Sequence, residues 1–297
     1  MTAELTKPAR RTVARVETKR RLGPDAQVDD KAMIIGPDAP RRTDPFLVLS
    51  EDWFSSPGFE WHPHRGVETV TTVLDGVLEH GDNAGHAGAL EPGDVQWMTA
   101  GRGIIHRELA YRNEHAHTLQ LWVNMPAAAK LAGTRYQDIR AAARPVSTAA
   151  GVRIDVVSGA PAAGGGVPGP AVNHWPVSGA LLTLEPAAAL DYALPAADRA
   201  FSYVLSGRAV VAGRALAAGQ IAWSDPAGPP GESSVLPVSA APDQDQVTTI
   251  RLYSDQPIGE PVVLGGPFVM NTQAEIAAAF ADFQRGAFGP VPRMMRL

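Results

Sequence analysis

The chain has 297 residues, 45% of them hydrophobic and 19% charged, a balance that suits a soluble globular protein large enough for two domains. A net charge of −5 gives no general attraction to nucleic acid, and no apolar run approaches the length of a membrane span. Without cysteine the chain can build neither a disulfide framework nor a thiolate metal site, and a reducing, cytoplasmic setting is the expectation.

The 29 glycines and 26 prolines favour many short strands over long helices. The first 21 residues hold Lys7, Arg10, Arg11, Arg15, Lys19, Arg20 and Arg21 against Glu4 and Glu17, with no apolar segment of a secretory signal behind them. They read as a solvated arm leading into a strand at 12–18. Strands follow at 32–35 and 46–50, separated by the turn Pro37-Asp38-Ala39-Pro40. Ser55-Ser56-Pro57-Gly58 then turns the chain. Residues 67–73 are rich in β-branched side chains, and Asp75-Gly76 predicts a hairpin with 77–80 as the return strand. A loop at 81–85 and the tight turn Glu91-Pro92-Gly93-Asp94 precede a strand at 95–99, and 119–125 closes the set. These spacings predict an antiparallel barrel or sandwich.

A weak repeat suggests that the barrel is duplicated. Val73-Leu74-Asp75-Gly76 resembles Val204-Leu205-Ser206-Gly207, and Pro92-Gly93-Asp94-Val95-Gln96-Trp97 is echoed by Ala218-Gly219-Gln220-Ile221-Ala222-Trp223. The junction falls in 137–151, where strand patterning is thin. The expected domains are 1–140 and 141–297, with a flexible surface loop at 160–170 inside the second. A short C-terminal helix is expected over about 273–285. Thr272 is its N-cap and Glu275 completes a capping box; Ile276, Phe280 and Phe283 form a buried face, and Gly286 is the stop.

Seven of the eight histidines lie between positions 62 and 117. Two pairs stand out, His62 with His64 and His106 with Glu108. Residues two apart on a strand share a face, so two adjacent strands would bring three imidazoles and a carboxylate to one point. Metal binding through nitrogen and oxygen is the chemistry this suggests. Glu68 competes for the carboxylate position, because on a regular strand it faces the same side as His62 and His64. Shifting His62 and His64 by the repeat lands on Ala193 and Pro195, so the second barrel lacks imidazole ligands. His80 and His86 either orient ligands and line the mouth or, the favoured reading, are surface loop residues. Gln96, Met98, Gln120 and Trp122 either line a cavity or fill the barrel core.

These motifs resemble the cupin pattern and, more closely, the pirin family. The resemblance rests on Asp44-Pro45-Phe46, His62-Pro63-His64-Arg65-Gly66, Glu68-Thr69-Val70 and the run from Pro92 to Gly101. It continues through Gly103-Ile104, His106, Glu108, Leu119-Gln120-Leu121-Trp122-Val123-Asn124 and Gly266-Pro267-Phe268-Val269-Met270-Asn271-Thr272. It implies an all-β bicupin of two jelly-roll barrels with one divalent metal per chain, held in the N-terminal barrel by His62, His64, His106 and Glu108. Iron(II) is the metal the family points to; nickel, copper, manganese, cobalt and zinc also accept such donors. Glu68 then becomes a supporting partner and Arg107 points away. The resemblance also implies one of two functions. The first is a quercetin 2,3-dioxygenase-like oxidoreductase acting on a flavonol and dioxygen, with Glu108 as ligand and catalytic base. The second is an iron-dependent redox-sensing regulator that binds a protein partner. No membrane or direct nucleic-acid partner is expected.

Overall fold

The computed structural model describes residues 7–55, 58–159 and 167–292, so the middle of the turn at 55–58 and most of the loop expected at 160–170 lie outside the described residues. Strands make up 52% of the structure and helices 9%, which bears out an all-β chain. No helix among the described residues is long and apolar enough to cross a membrane.

The chain forms two compact units. One contains Lys19–Ala143, Ala171–Trp175 and Ile258–Leu297; the other contains Met1–Thr18, Arg144–Pro170 and Pro176–Pro257. The chain leaves the first unit after Ala143, close to the expected junction at 140. Both chain ends differ from a division in chain order, however. The N-terminal segment belongs with the later barrel and the C-terminal segment with the earlier one. Pairing of distant strands decides this, and local patterning does not reveal it.

In the barrel that begins at Lys19, a seven-stranded sheet contains Arg20–Arg21, Asp30–Ile35, Phe46–Phe54, Val67–Gly76, Val95–Thr99, Ala116–Asn124 and Arg135–Ile139. A four-stranded sheet contains Phe59–His64, Leu78–Asp82, Ala87–Leu90 and Ile104–Ala110. The chain alternates between the two sheets, and the alternation explains one misreading. Asp75-Gly76 is a corner rather than a hairpin. Strand Val67–Gly76 pairs with Val95–Thr99 and Ala116–Asn124, whereas Leu78–Asp82 pairs with Ile104–Ala110 and Ala87–Leu90 in the other sheet. The same switching sets Phe59–His64 directly beside Ile104–Ala110, the pairing the metal motif requires.

The other unit repeats the plan. Strand Arg199–Ser206 lies between Gln220–Ser224 and Thr248–Asp255, as Val67–Gly76 lies between its two neighbours. Both halves of the sequence repeat thus fall on equivalent strands. Its interior is filled by Leu182, Leu184, Val204, Leu236, Ile250 and Leu252. On Ala189–Pro195, the strand that the repeat offset reaches, Tyr192 and Leu194 are the buried residues. The unit carries no histidine. The basic N-terminal arm is less solvated than expected. Ala9–Arg10 adds to strand Ser233–Ala240, and Arg11 is buried, donating to Ser234 Oγ and to the carbonyls of Pro195 and Asp198. A lysine or arginine in an arm can be consumed by backbone carbonyls as readily as by water.

The C-terminal helix spans Gln273–Gln284. Thr272 Oγ1 accepts from the Glu275 N–H at 3.2 Å, and the Glu275 carboxylate accepts from the backbone N–H of Asn271. Ile276 and Ala279 are buried against Phe268 and Met270, with Phe283 at the edge of that cluster. Phe280 corrects the expected face: it is 39% exposed and touches Phe268 only edge-on, at 4.9 Å between ring centres. Thr272→Ala is expected to cost about 1 kcal/mol, the usual worth of an N-cap, with no loss of function. An unchanged denaturant midpoint would show that the cap carries no weight.

Candidate metal centre

His62 and His64 lie on Phe59–His64, separated by Pro63, and the alternation of a strand turns both inward. Across the sheet His62 is in register with His106. Between His106 and Glu108 the register shifts, so Glu108 stands opposite Phe59. One extra residue on the His62 strand makes this bulge. The ring centres are 4.4 Å apart for His62 and His106, and 5.0 Å for each of the other two pairs. Ligand atoms of all three lie within 4.8 Å of one another.

The hydrogen bonds around the rings set their tautomers. His62 Nδ1 is 2.7 Å from the Glu60 carbonyl, and His64 Nδ1 is 3.1 Å from the Pro267 carbonyl. A carbonyl oxygen only accepts, so each Nδ1 carries the proton and each Nε2 keeps its lone pair. His64 Nε2 and both nitrogens of His106 are buried without a hydrogen-bond partner among the described residues. Burial, reinforced by the neighbouring imidazole of His62, lowers the His64 pKa to about 3. Burial first, then the other histidines, holds His106 well below its ordinary value. Burial also lowers His62. Three neutral imidazoles therefore converge, and His64 Nε2 and the His106 nitrogens have no partner among the described residues. Orphaned buried nitrogens are costly, and a metal ion is the partner that fits them.

Glu108 lines the same cavity as His62 and His64, but its carboxylate lies outside the close group the three imidazoles form, so the expected fourfold convergence is threefold here. Its Oε1 accepts from Thr71 Oγ1 at 2.8 Å and its Oε2 from Gln120 Nε2 at 2.7 Å. Trp122 Nε1 in turn donates to Gln120 Oε1 at 3.0 Å. Burial raises the Glu108 pKa, while the bonds from Thr71 and Gln120 oppose the rise. Gln120 and Trp122 are thus cavity residues. Thr71 carried no sequence signal beyond its β-branched strand.

Glu68 does not face the histidines. Its carboxylate accepts from Trp97 Nε1 at 2.9 Å, Thr99 Oγ1 at 2.7 Å and the His174 backbone N–H at 3.2 Å. The chain turns at Gly66 between the two sheets, so the alternation counted from His62 does not carry through to Glu68. On its own strand Glu68 lies on the face opposite Thr71. Arg107 behaves as expected, pairing with Glu79 at 2.9 Å and covering the Trp61 ring. His80, read as a loop residue, is buried on strand Leu78–Asp82, opposite Glu108, and its ring is held by Tyr136 and Asp138. His86 is the surface residue expected, paired with Asp82.

Lys130 supports the turn at Gly66. It is buried, and its Nζ donates to the Gly66 carbonyl and to Asn124 Oδ1, both at 2.7 Å. Burial lowers its pKa to about 7 against the opposing pull of Glu260, Asp44 and Glu275. A neutral amine still has two N–H groups, enough for both acceptors. Below about pH 7 the folded and unfolded chains both hold the proton. From there up to about 10.5 only the unfolded chain does, so raising the pH stabilises the fold. The folded protein is expected to gain roughly 1 kcal/mol between about pH 7 and about pH 8 from this group. Denaturant melts should lose that gain in Lys130→Met; an equal gain in the variant would assign it elsewhere.

Two β-barrels in one chain, with converging histidines in one and an apolar interior in the other, define a bicupin with a site that could bind a metal. The Pirin family model matches residues 33–123, and the model described as Pirin C-terminal cupin domain matches residues 180–289. Pirin-1 of Arabidopsis thaliana is 39% identical over 248 residues, covering 83% of this chain and 84% of the relative. Pirin of Homo sapiens is 36% identical over 258 residues, covering 84% of each. A solved structure of quercetin 2,3-dioxygenase from Acinetobacter baumannii superposes with a TM-score of 0.82 at 28% identity, covering 96% of this chain and all of that one. The chain belongs to the pirin family.

Proposed function

We propose that this protein is a metal-dependent dioxygenase that opens a flavonol such as quercetin with dioxygen, using one divalent metal, iron(II) in the first place, held by His62, His64, His106 and Glu108. The observation that carries the reading is the cavity. It has a volume of about 700 Å³ and opens onto His62, His64 and Glu108. Met33, Val48, Phe59, Trp122, Leu264 and Pro267 line it. That volume lies in the range of pockets that enclose drug-sized molecules. A barrel filled to the histidines would have favoured the regulator instead. The Acinetobacter baumannii structure supports the same substrate class.

The bound metal would supply a Lewis-acidic centre for the flavonol oxygens and for dioxygen. This chain's residues do the rest. The neutral imidazoles of His62 and His64, fixed through the Glu60 and Pro267 carbonyls, hold their lone pairs in place without a change of protonation. Glu108 takes the proton of the flavonol 3-hydroxyl as the substrate enters, because its carboxylate lines the cavity the substrate occupies. Thr71 and Gln120 keep that carboxylate in position. Trp122 and Phe59 give the cavity aromatic walls against which a planar substrate can pack. The cysteine-free sequence suits such a site in the reducing cytoplasm.

The test is anaerobic reconstitution with iron(II), followed by oxygen uptake on addition of quercetin. Uptake that matches flavonol consumption is expected. Well-metallated protein that consumes no oxygen with any flavonol would return the site to the regulatory reading.

A further inference from the structure

The cavity contains a second carboxylate that neither the metal site nor the proton step uses. Strand Phe46–Phe54 turns Val48, Ser50 and Asp52 into it, and Asp30–Ile35 turns in Lys31 and Met33. Lys31 is in register with Asp52, and Met33 with Ser50. Ser50 is also in register with Gln120, the residue that holds Glu108. Asp52 is therefore on the wall beside the reacting end.

Asp52 is 2% exposed, yet only one of its oxygens is satisfied. Oδ2 accepts from Ser50 Oγ at 2.7 Å. Oδ1 accepts no hydrogen bond from any of the described residues. Lys31 Nζ stands 3.6 Å from Oδ1, too far to donate well, and equally far from Asp25. The lysine also lies over the Phe59 ring at 5.3 Å. It offsets the charge of Asp52 without filling its lone pair. Buried carboxylate oxygens are rarely left this way, because the desolvation cost has no return.

The chemistry of the pair selects the partner. A cation gains little beside Lys31, and an anion meets Asp52. A neutral hydroxyl can donate to Oδ1 at no charge cost, and the aromatic and aliphatic walls favour a flat ring to carry it. We propose that Asp52 reads a phenolic hydroxyl borne by the substrate away from the 3-hydroxyl, with Lys31 offsetting its charge from 3.6 Å. This rests on the flavonol reading above and narrows it to polyhydroxylated flavonols. A site built to bond a hydroxyl rejects the analogue that lacks it far more strongly than an apolar pocket rejects a size change.

The test separates binding from turnover. Zinc-loaded protein, which cannot use oxygen, is titrated anaerobically with quercetin and with 3-hydroxyflavone, the flavonol stripped of its other hydroxyls. Wild type, Asp52→Leu and the near-isosteric Asp52→Asn are compared at equal zinc content. Asp52→Leu is expected to weaken quercetin about tenfold or more. The same variant should leave 3-hydroxyflavone within about twofold, and Asp52→Asn should fall between. Equal weakening of both ligands, or of neither, would overturn the role of Asp52 while leaving the flavonol reading intact. Wild type that binds neither ligand would overturn both.

Discussion

His106→Ala should abolish the stabilisation that metal confers on this protein. Wild type with metal at about 1,000 times its dissociation constant is expected to gain about 4 kcal/mol over the metal-free form. The variant should gain almost none, since loss of a partner behind a ligand already costs about 10–100-fold in affinity and loss of the ligand costs more. Metal-free, the variant should be nearly as stable as wild type, because the orphaned nitrogens of a buried imidazole oppose folding until something binds them. A purely structural histidine would show the reverse, a loss in the metal-free protein and no metal dependence to remove. Glu108→Gln separates holding from chemistry: it should retain most of the metal-dependent stabilisation and lose about 100-fold or more in oxygen uptake. Glu68→Gln is the control, since Glu68 bonds to Trp97, Thr99 and the His174 backbone. Metal loss in Glu68→Gln alone would undo the assignment of the fourth ligand to Glu108.

The residues that converge were legible because strand alternation is a local rule. His62 and His64 obey it on one strand and His106 on its neighbour, and nothing distant has to be known. The rule fails where the chain changes sheets. Counting through Gly66 sets Glu68 beside the histidines, and composition alone makes Asp75-Gly76 a hairpin; Gly66 and Asp75-Gly76 are both corners where the chain changes sheets. What closes the site from far away carried no local signal. Pro267, whose carbonyl fixes the His64 ring, arrives from a segment 203 residues later that a division at 140 assigned to the other barrel. Asp52 and Lys31 likewise look like ordinary surface charges in a strand of mixed polarity, and only the register of Asp30–Ile35 with Phe46–Phe54 puts them on a cavity wall.

Gly66→Ala should unfold more of this protein than any other single methyl group added at the site. Gly66 has φ +71, a conformation L side chains rarely adopt. Its Cβ would collide with the Val269 carbonyl oxygen, and would stand 2.9 Å from Met270 Sδ and 3.1 Å from Lys130 Cδ. The peptide cannot easily step aside. Its N–H donates to the Gly101 carbonyl at 2.8 Å, its carbonyl accepts from Lys130, and the preceding Arg65 carbonyl accepts from Val269. Relief would come from moving strand Phe59–His64, which carries two of the imidazoles. The expected cost is at least about 3 kcal/mol in the metal-free protein, the sum of a backbone penalty and an unrelieved backbone clash. A further fall in metal affinity of about tenfold or more should follow, because displaced rings bind less well. Gly23→Ala is the comparison that isolates the conformational part. Its φ is +78 and a Cβ there meets nothing within 4 Å, so it should cost only about 1 kcal/mol and leave metal binding unchanged. Denaturant melts and metal titration of the two variants decide the matter. Equal costs at both positions would mean that the turn at Gly66 yields, and that the histidine strand is not held where the hydrogen bonds around it suggest.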